Sequence, residues 1–444
     1  MLFAGASALL ITSIGAAKGA GEEARQDLAQ QARGSLTWIA QDLRARSLNG
    51  GYTPLYLPLS TPGDITTIGI QYPGTPDVGQ CLLRAYDIFD HQEFLDGAKE
   101  VGRALAWYQS ETGGWPIEIE EPTLPPTTDE GMGHLSRQKR DDTFDDNATQ
   151  GALDFLLTLD DRIDAPWLDN ALDLGLDFML EGQLEAGGWP QYYPLIGGYH
   201  DFHTFNDGAI NNAISVMLKA HEHRDDPRFL ESALRGAAFI AASQLPAPQA
   251  GWAQQYDWDL KPAPARPFEP ASVSSSSTSR NILTLLDIAK HTGDAQYLEP
   301  IPAAIEWLRA SALDEKSWAR FYELGTNRPI YPTRSGDIVD SLDDLPEDER
   351  GKYAYVAGFK VKEAITLYQK LRKNPRAGDF ERWRDEASRA EAKRKTRKSE
   401  QRIADVLAYA EQYRAEPASN EILLGEFIEL CETVLNYLEF NKIP

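Results

Sequence analysis

The sequence predicts an all-α protein, an (α/α) toroid of repeated inner and outer helix pairs with short irregular β segments in the loops. Two observations predict it: a Gly-Trp motif that recurs along the chain, and a helical hydrophobic pattern ahead of each copy. "YQSETGGWP" runs from Tyr108 to Pro116, "GQLEAGGWP" from Gly182 to Pro190 and "SQLPAPQAGWAQ" from Ser243 to Gln254, with "ASALDEKSWARF" a weaker fourth copy. Their tryptophans, Trp115, Trp189, Trp252 and Trp318, fall roughly 60 to 75 residues apart, a period that suits two helices with their loops.

Each copy follows a segment with apolar residues at 3.6-residue spacing: "QEFLDGAKEVGRALAWY", "APWLDNALDLGLDFML", "PRFLESALRGAAFIAA" and "AQYLEPIPAAIEWLRA". These read as outer helices. Upstream of each lies a segment more apolar around its circumference, as an inner layer buried on several sides requires: "PDVGQCLLRAYDIF", "DDNATQGALDFLLTL", "NDGAINNAISVMLKA" and "SSSTSRNILTLLDIAK". In such a toroid the N-termini of the inner helices share one face, where Asp77, the Asp145 cluster, Asn206-Asp207 and Ser277 are expected to meet. "YAYVAGFKVKEAITLYQKLRK", from Tyr353 to Lys373, reads as a further amphipathic helix that closes the ring. The toroid is thus expected over 21–373. Residues 374–444 form a charged helical extension: "FERWRDEASRAEAKRKTRKSEQR" reads as a solvated face rich in i,i+4 pairs, and "EILLGEFIELCETVLNYLEF" is apolar enough to pack back onto the domain. Residues 1–20 carry an apolar run of export-signal length ending in small residues, although no basic segment precedes it. The alternative is an ordinary N-terminal helix. No later stretch is long and apolar enough to span a membrane.

A net charge of -24 argues against a nucleic-acid partner, because phosphate binding rests on clustered Lys and Arg. It does not exclude an anionic oligomer, since one bound divalent ion or a local group of arginines inverts the field at a single site. Cys81 and Cys431 are the only cysteines, so thiols build neither a disulfide framework nor a zinc cluster, and a single bridge stays open.

The chemistry concentrates in the loops. "RDDTFDDNAT" places four aspartates just before an inner helix. One or two would serve as helix caps; four like charges repel one another unless a cation or a shared proton joins them. The related "TFNDGA" precedes the next inner helix and supplies Asn206 and Asp207. After the second Gly-Trp copy, "GGWPQYYPLIGGYHDFHTF" is dense in aromatic rings, which suit a sugar platform, and Trp189 is placed among the substrate-binding residues. His200 and His203 in that loop are read as structural. After the third copy, "DLKPAPARPFEP" carries Lys261 and a proline-flanked Arg266, whose stiff loop can fix one guanidinium for carboxylate recognition. The fourth copy, "WARFYELGTNRPIYPTRSGDI", adds Arg320, Arg328 and Arg334.

In their order, "DDNAT", "GGWPQYYP", "TFNDGA", "WAQQYD", "ARPFEPAS" and "WARFYELGTNRPIY" resemble family 10 of the polysaccharide lyases, the pectate lyases with an (α/α)3 toroid, over roughly Asp77 to Lys373. The resemblance implies calcium-assisted β-elimination of polygalacturonate by a secreted or periplasmic enzyme, with 21–373 as the catalytic domain. Asp145 and Asp207 resemble the calcium carboxylates. Arg266 resembles the arginine that abstracts the C5 proton, and Arg320 and Arg334 resemble substrate-binding arginines. Asp146 departs from the Asn expected after the first Asp, adds a charge and joins the metal set. Lys261, Arg328, Asn206 and Trp189 complete the expected substrate-binding set.

Three other functions use the same features. A glycoside hydrolase would set Asp145 or Asp146 and Asp207 as general acid and base. The spacing in "QSETGGW" and "QLEAGGW" matches the Gln-x-x-x-Gly-x-Trp repeats of triterpene cyclases, although the Arg-rich loops suit an anion better than a hydrocarbon. A non-catalytic toroid would bind acidic sugar without turnover.

Overall fold

Apolar stripes wider than one neighbour can cover force the helices of this chain into layers. The structure, a computed structural model, describes residues 22–53, 65–133, 137–372, 402–403, 406–408, 411 and 424–441. Helix α1 (Glu22–Arg46) is followed by four pairs: α2 (Thr75–Phe89) with α3 (Gln92–Tyr108), α4 (Ala148–Asp160) with α5 (Pro166–Glu181), α6 (Ala209–Arg224) with α7 (Pro227–Ala242), and α8 (Ser275–Thr292) with α9 (Ile301–Ala310). Helices α10 (Val361–Arg372) and α11 (Leu424–Asn441) follow, and a single helical turn at Asp129–Met132 and several 3-10 turns lie in the loops. The four pairs are those the sequence predicts. The first members pack in succession, α2 on α4, α4 on α6, α6 on α8 and α8 on α10, while α11 lies against α2 and α1. The fold is an α/α toroid.

The inner position of α4 shows in its burial: Ala148, Ala152, Leu153, Phe155, Leu156, Leu157 and Leu159 are all fully buried, so apolar residues point in every direction. Each such leucine contributes roughly 1.5–3 kcal/mol by leaving water. Within a pair the reversal is tight. Asp225, left-handed at φ 49°, ends α6; Asp226 accepts from the Arg228 N–H; and Pro227 opens α7 with the one residue whose missing N–H costs nothing there.

The Gly-Trp repeats prove to be the joints of the toroid. Each indole N–H donates to a carbonyl at the end of the preceding outer helix: Trp115 to Leu105 (2.9 Å), Trp189 to Met179 (2.8 Å), Trp252 to Ile240 (2.6 Å) and Trp318 to Leu308 (2.7 Å). The glutamine ahead of each of the first three copies bridges two carbonyls. Gln109 donates to Gly113 and Ala171, Gln183 to Gly187 and Ser232, and Gln244 to Ala250 and Pro300, tying each loop to the next outer helix. Gly187 sits at φ +103°, and a Cβ there would lie 2.4 Å from the Arg235 carbonyl oxygen, so the close approach demands glycine. The Gln-Gly-Trp spacing is therefore accounted for by packing.

The loops hold short strands, all antiparallel. β1 (Thr67–Gly69) pairs with β2 (Glu118–Glu120), and β3 (His203–Thr204) with β5 (Gln255–Tyr256). A five-stranded sheet has the order β10-β9-β8-β6-β4, from β4 (Trp252–Ala253), β6 (Val273–Ser274), β8 (Phe321–Tyr322), β9 (Pro329–Pro332) and β10 (Ile338–Val339). β7 (Trp318–Ala319) pairs with β11 (Val356–Ala357). Strand β6 runs directly into α8 and β3 leads to Asn206, so the strands bring the loops to the N-terminal ends of the inner helices.

Cys81 on α2 and Cys431 on α11 are free, buried and in side-chain contact; the Cys431 thiol and burial hold the Cys81 thiol well above its usual range. The expected export segment 1–20 and the charged run before residue 402 lie outside the described residues. Replacing Gln183 by Ala strands two carbonyls at once, and we expect a loss of about 1–3 kcal/mol in urea unfolding.

Candidate functional site

Two loops of nearly the same sequence, "TFDDNA" before α4 and "TFNDGA" before α6, fold the same way. The Thr143 hydroxyl accepts the Asp145 N–H (2.9 Å), and the Thr204 hydroxyl accepts the Asn206 N–H (3.1 Å). A doublet of left-handed residues follows: Asp146 (φ 48°) and Asn147 (φ 61°) in one loop, Asp207 (φ 46°) and Gly208 (φ 82°) in the other. Asx residues and glycine tolerate this region best, which explains the composition of both doublets. The consequence corrects the expected capping role. Asn147 ends the turn as the cap of α4, and neither it nor an aspartate accepts from the helix's first turn. The doublets instead swing Asp145, Asp146 and Asp207 together, with one oxygen of each lying within 4.8 Å of the others.

The wider convergence of inner-helix N-termini is also corrected. Asp77 folds back to accept the Gly74 N–H (2.9 Å), and burial lifts it to about 6. Ser277 is buried, its N–H donated to the Ser274 hydroxyl (3.2 Å). Asp142 is buried and accepts from Ser110 and Thr112.

Burial first, then repulsion from Asp146 and Asp207, raises Asp145 to about 7, against an opposing pull from Arg266. Burial and Asp207 raise Asp146 as well. The buried Asp145 Oδ1 has no hydrogen-bond partner, while its Oδ2 accepts a long bond from Gln191 (3.4 Å). Gln191 is held in turn by His200 Nδ1 (2.7 Å). An orphaned carboxylate oxygen beside two more carboxylates is a hard-oxygen donor set that fits a calcium ion.

Opposite the acids stands an arginine–aromatic stack. Arg266 gives its Nε and Nη2 to the Glu269 carboxylate (2.7 Å each), and Glu269, only 2% exposed, also accepts from the Tyr353 hydroxyl (2.9 Å). The Glu269 pairing raises Arg266 above its ordinary range; although burial pushes Glu269 up, the guanidinium keeps that carboxyl below its usual value. The Phe268 ring lies between Arg266 (4.8 Å) and Arg334 (4.0 Å). Arg320 covers Tyr353 (4.8 Å) and Phe359 (5.1 Å). These arginines flank the five-stranded sheet: Arg266 precedes β6, Arg320 lies between β7 and β8, and Arg334 between β9 and β10.

Of the remaining expected site residues, only Asn206 touches the carboxylate trio. Trp189 is fully buried with its N–H committed to Met179, so it is a packing residue and not a sugar platform. Arg328 is paired with Glu323 and Asp340, and Lys261 with Asp259 (3.1 Å) on an exposed hairpin. Asn206 is buried and donates to Asp207 Oδ2 (2.7 Å), orienting that carboxylate. His203 is also buried, its ring 4.5 Å from Phe239, and burial pulls it down to about 4, as its structural reading requires. The sequence reading missed Gln191, Glu269 and Tyr353. The signal for Glu269 was present, three residues beyond Arg266 in a Pro-flanked turn; nothing local links Tyr353 to it.

The chain is similar in structure to Family 10 polysaccharide lyase from Cellvibrio cellulosa, at a TM-score of 0.53 and 21% identity over 66% of this chain and 97% of that one. A mutant of that lyase in complex with trigalaturonic acid matches at a TM-score of 0.52 and 21% identity, over 67% and 98%. None of the curated proteins matches. A family model described as Pec_lyase, pectic acid lyase, matches residues 109–317 and 313–362, more than half of the chain and every residue of the carboxylate cluster and the arginine stack. The chain belongs to the pectic acid lyase family and is a polysaccharide lyase.

Proposed function

We propose that the chain is a calcium-dependent pectate lyase that cleaves polygalacturonate by β-elimination. The observation that supports this reading is the trio Asp145, Asp146 and Asp207, close enough to share one ion and facing the charge of Arg266. The trigalaturonic acid bound by the Cellvibrio cellulosa lyase mutant supports an oligogalacturonate as the ligand. Three carboxylates this close leave no room for a water between an acid and a base, which weighs against an inverting hydrolase; a retaining one is separated by its product, which carries no double bond.

Calcium takes about six to eight oxygens, so the three aspartates leave positions for a uronate carboxylate, and when bound it would draw charge from that carboxylate and acidify the adjacent C5 proton. Asp145, Asp146 and Asp207 hold the ion, and Gln191 steadies Asp145. Arg266 takes the C5 proton. The C5–H pair becomes the C4–C5 double bond, the C4–O bond breaks, and the departing glycosidic oxygen is protonated from water. Arg320 and Arg334, which pair with no carboxylate side chain among the described residues, hold neighbouring uronate carboxylates. At rest Glu269 keeps Arg266 protonated, so the free base is populated only as pH rises. Secretion is proposed with this function, because the polymer is too large to reach an internal enzyme; among the described residues no helix is long and apolar enough to cross a membrane.

The deciding assay is ultraviolet absorbance of the unsaturated uronate during incubation with polygalacturonate, first with calcium and then with chelator. A rise that chelator stops is expected, and new reducing ends without absorbance would defeat the reading. Asp145→Asn and Asp207→Asn are each expected to lower kcat by at least ~100-fold, the scale of losing a charge that stabilises the transition state.

Calcium binding should depend on pH with a definite sign. Asp145 is lifted to about 7 without a cation, above its unfolded value, so the cation-free protein loses stability as pH rises toward 7. Calcium must displace that proton. Its affinity is expected to fall about tenfold per pH unit below neutrality, and the rise in Tm it produces to be larger at about pH 8 than at about pH 6, as read by calorimetry.

Glu269→Gln tests the base. Removing the carboxylate charge lowers the Arg266 pKa, so the rising limb of the pH–kcat profile is expected to move to lower pH even where the maximal rate drops. A lower rate with an unmoved limb would show Arg266 acting as a fixed cation instead.

A further inference from the structure

Arg280, in the second turn of inner helix α8, is absent from the arginine stack described above but lies beside it. Its Nη1 rests against the backbone of Gly208, 2.4 Å from where a Cβ at that position would stand. Gly208 directly follows Asp207, so the guanidinium reaches the edge of the carboxylate trio. Both Asp207 and Arg320 act on its charge: burial lowers its pKa, Asp207 raises it and Arg320 lowers it further. Arg320 is tied to the start of the same helix, because its carbonyl accepts the Ser275 N–H (3.0 Å).

The charge of Arg320 is therefore felt at Arg280, near the start of α8. Arg320 is sandwiched by Tyr353 and Phe359, with Nε on the Ala354 carbonyl (3.0 Å). Arg280 makes no hydrogen bond and no ion pair among the described residues. Its nitrogens are also not among the sealed-off, unsatisfied atoms, which leaves the head open to an incoming group. Partly burying a guanidinium within reach of a second cation and giving it no hydrogen-bonded anion is unfavourable. An anion supplied from solution relieves both costs.

We propose that Arg280 is a substrate-binding residue that, together with Arg320, grips a uronate carboxylate beside the calcium-held one. The inference rests on the polygalacturonate reading and adds to it a receptor at the Asp207 edge of the groove. The alternative is that Arg280 only offsets the charge of the aspartates. The two roles separate by trigalacturonate binding: removing a cation that only offsets the aspartates tightens calcium binding and leaves trigalacturonate binding alone, whereas removing a receptor weakens trigalacturonate binding.

The experiment uses the full chain with calcium. Trigalacturonate binding is measured by calorimetry in an Arg266→Ala background that stops turnover, with and without Arg280→Gln, and KM is measured with Arg266 intact. We expect Arg280→Gln to raise Kd and KM roughly 10- to 100-fold, the scale of one charge-assisted fork on a carboxylate. Fully methyl-esterified trigalacturonate should bind the parent and the variant alike. Arg280→Lys should recover part of the loss. If Arg280→Gln does not fold, Arg280→Lys carries the test alone, and a Kd within about twofold of the parent overturns the inference, since the ammonium lacks the planar fork. Equal Kd values for Arg280→Gln and its parent, with the Arg266-intact enzyme still cleaving, overturn the receptor and leave the lyase reading standing. A chain that neither binds nor cleaves any polygalacturonate overturns the lyase reading, and the receptor with it.

Discussion

Three carboxylates held closer than their mutual repulsion favours are the constraint on which the rest of this structure depends. Asp145, Asp146 and Asp207 meet because two loops each spend a doublet of left-handed residues at the entrance to an inner helix. Each such residue outside glycine costs on the order of 1 kcal/mol. The toroid supplies the compensation. Phe144 and Phe205, which precede the two turns, are buried in the core, and α4 and α6 pack directly on each other. The turns cannot relax without withdrawing those rings.

The cationic side is built by a different principle. Arg266 is fixed by a buried carboxylate, whereas Arg320 and Arg334 are held by aromatic faces that fix a guanidinium without neutralising it. In a chain of net charge -24 an arginine would readily find a carboxylate. Aromatic seating keeps these two charges available to an anionic ligand. Glu269 links the halves of the stack, since one buried carboxylate binds both Arg266 and Tyr353, and Tyr353 lies under Arg320.

The division of labour between scaffold and site follows from periodicity. The Gly-Trp repeats recur because every joint needs an indole bonded to a helix end, and the first three also need a glutamine bonded to two carbonyls. Trp189 belongs to that scaffold, which is why its place in an aromatic-rich loop was misleading about sugar binding. The reactive residues are where the repeats diverge. Asp145 takes the position of Asn206, and Asp146 that of Asp207, so two related turns deliver three carboxylates where strict repetition would deliver two or four.

The sequence by itself determined the helix pairs, the positions of the joints and the two acidic turns, because each is written in local spacing: 3.6-residue apolar patterns, Gly-Trp motifs, and Asx-rich segments ahead of apolar runs. It also singled out Arg266, whose proline-flanked loop is a local signal. Only the tertiary structure decided which charges share a site. Asp77 and Ser277 stand at equivalent helix starts yet turn to local partners, and Arg328 and Lys261 are drawn off by Glu323, Asp340 and Asp259. Glu269 with Tyr353, 84 residues apart, and Arg280 against Gly208 are long-range contacts. The physical reason is that a side chain's role here is set by which neighbour neutralises it, and sequence spacing does not carry that information across the toroid.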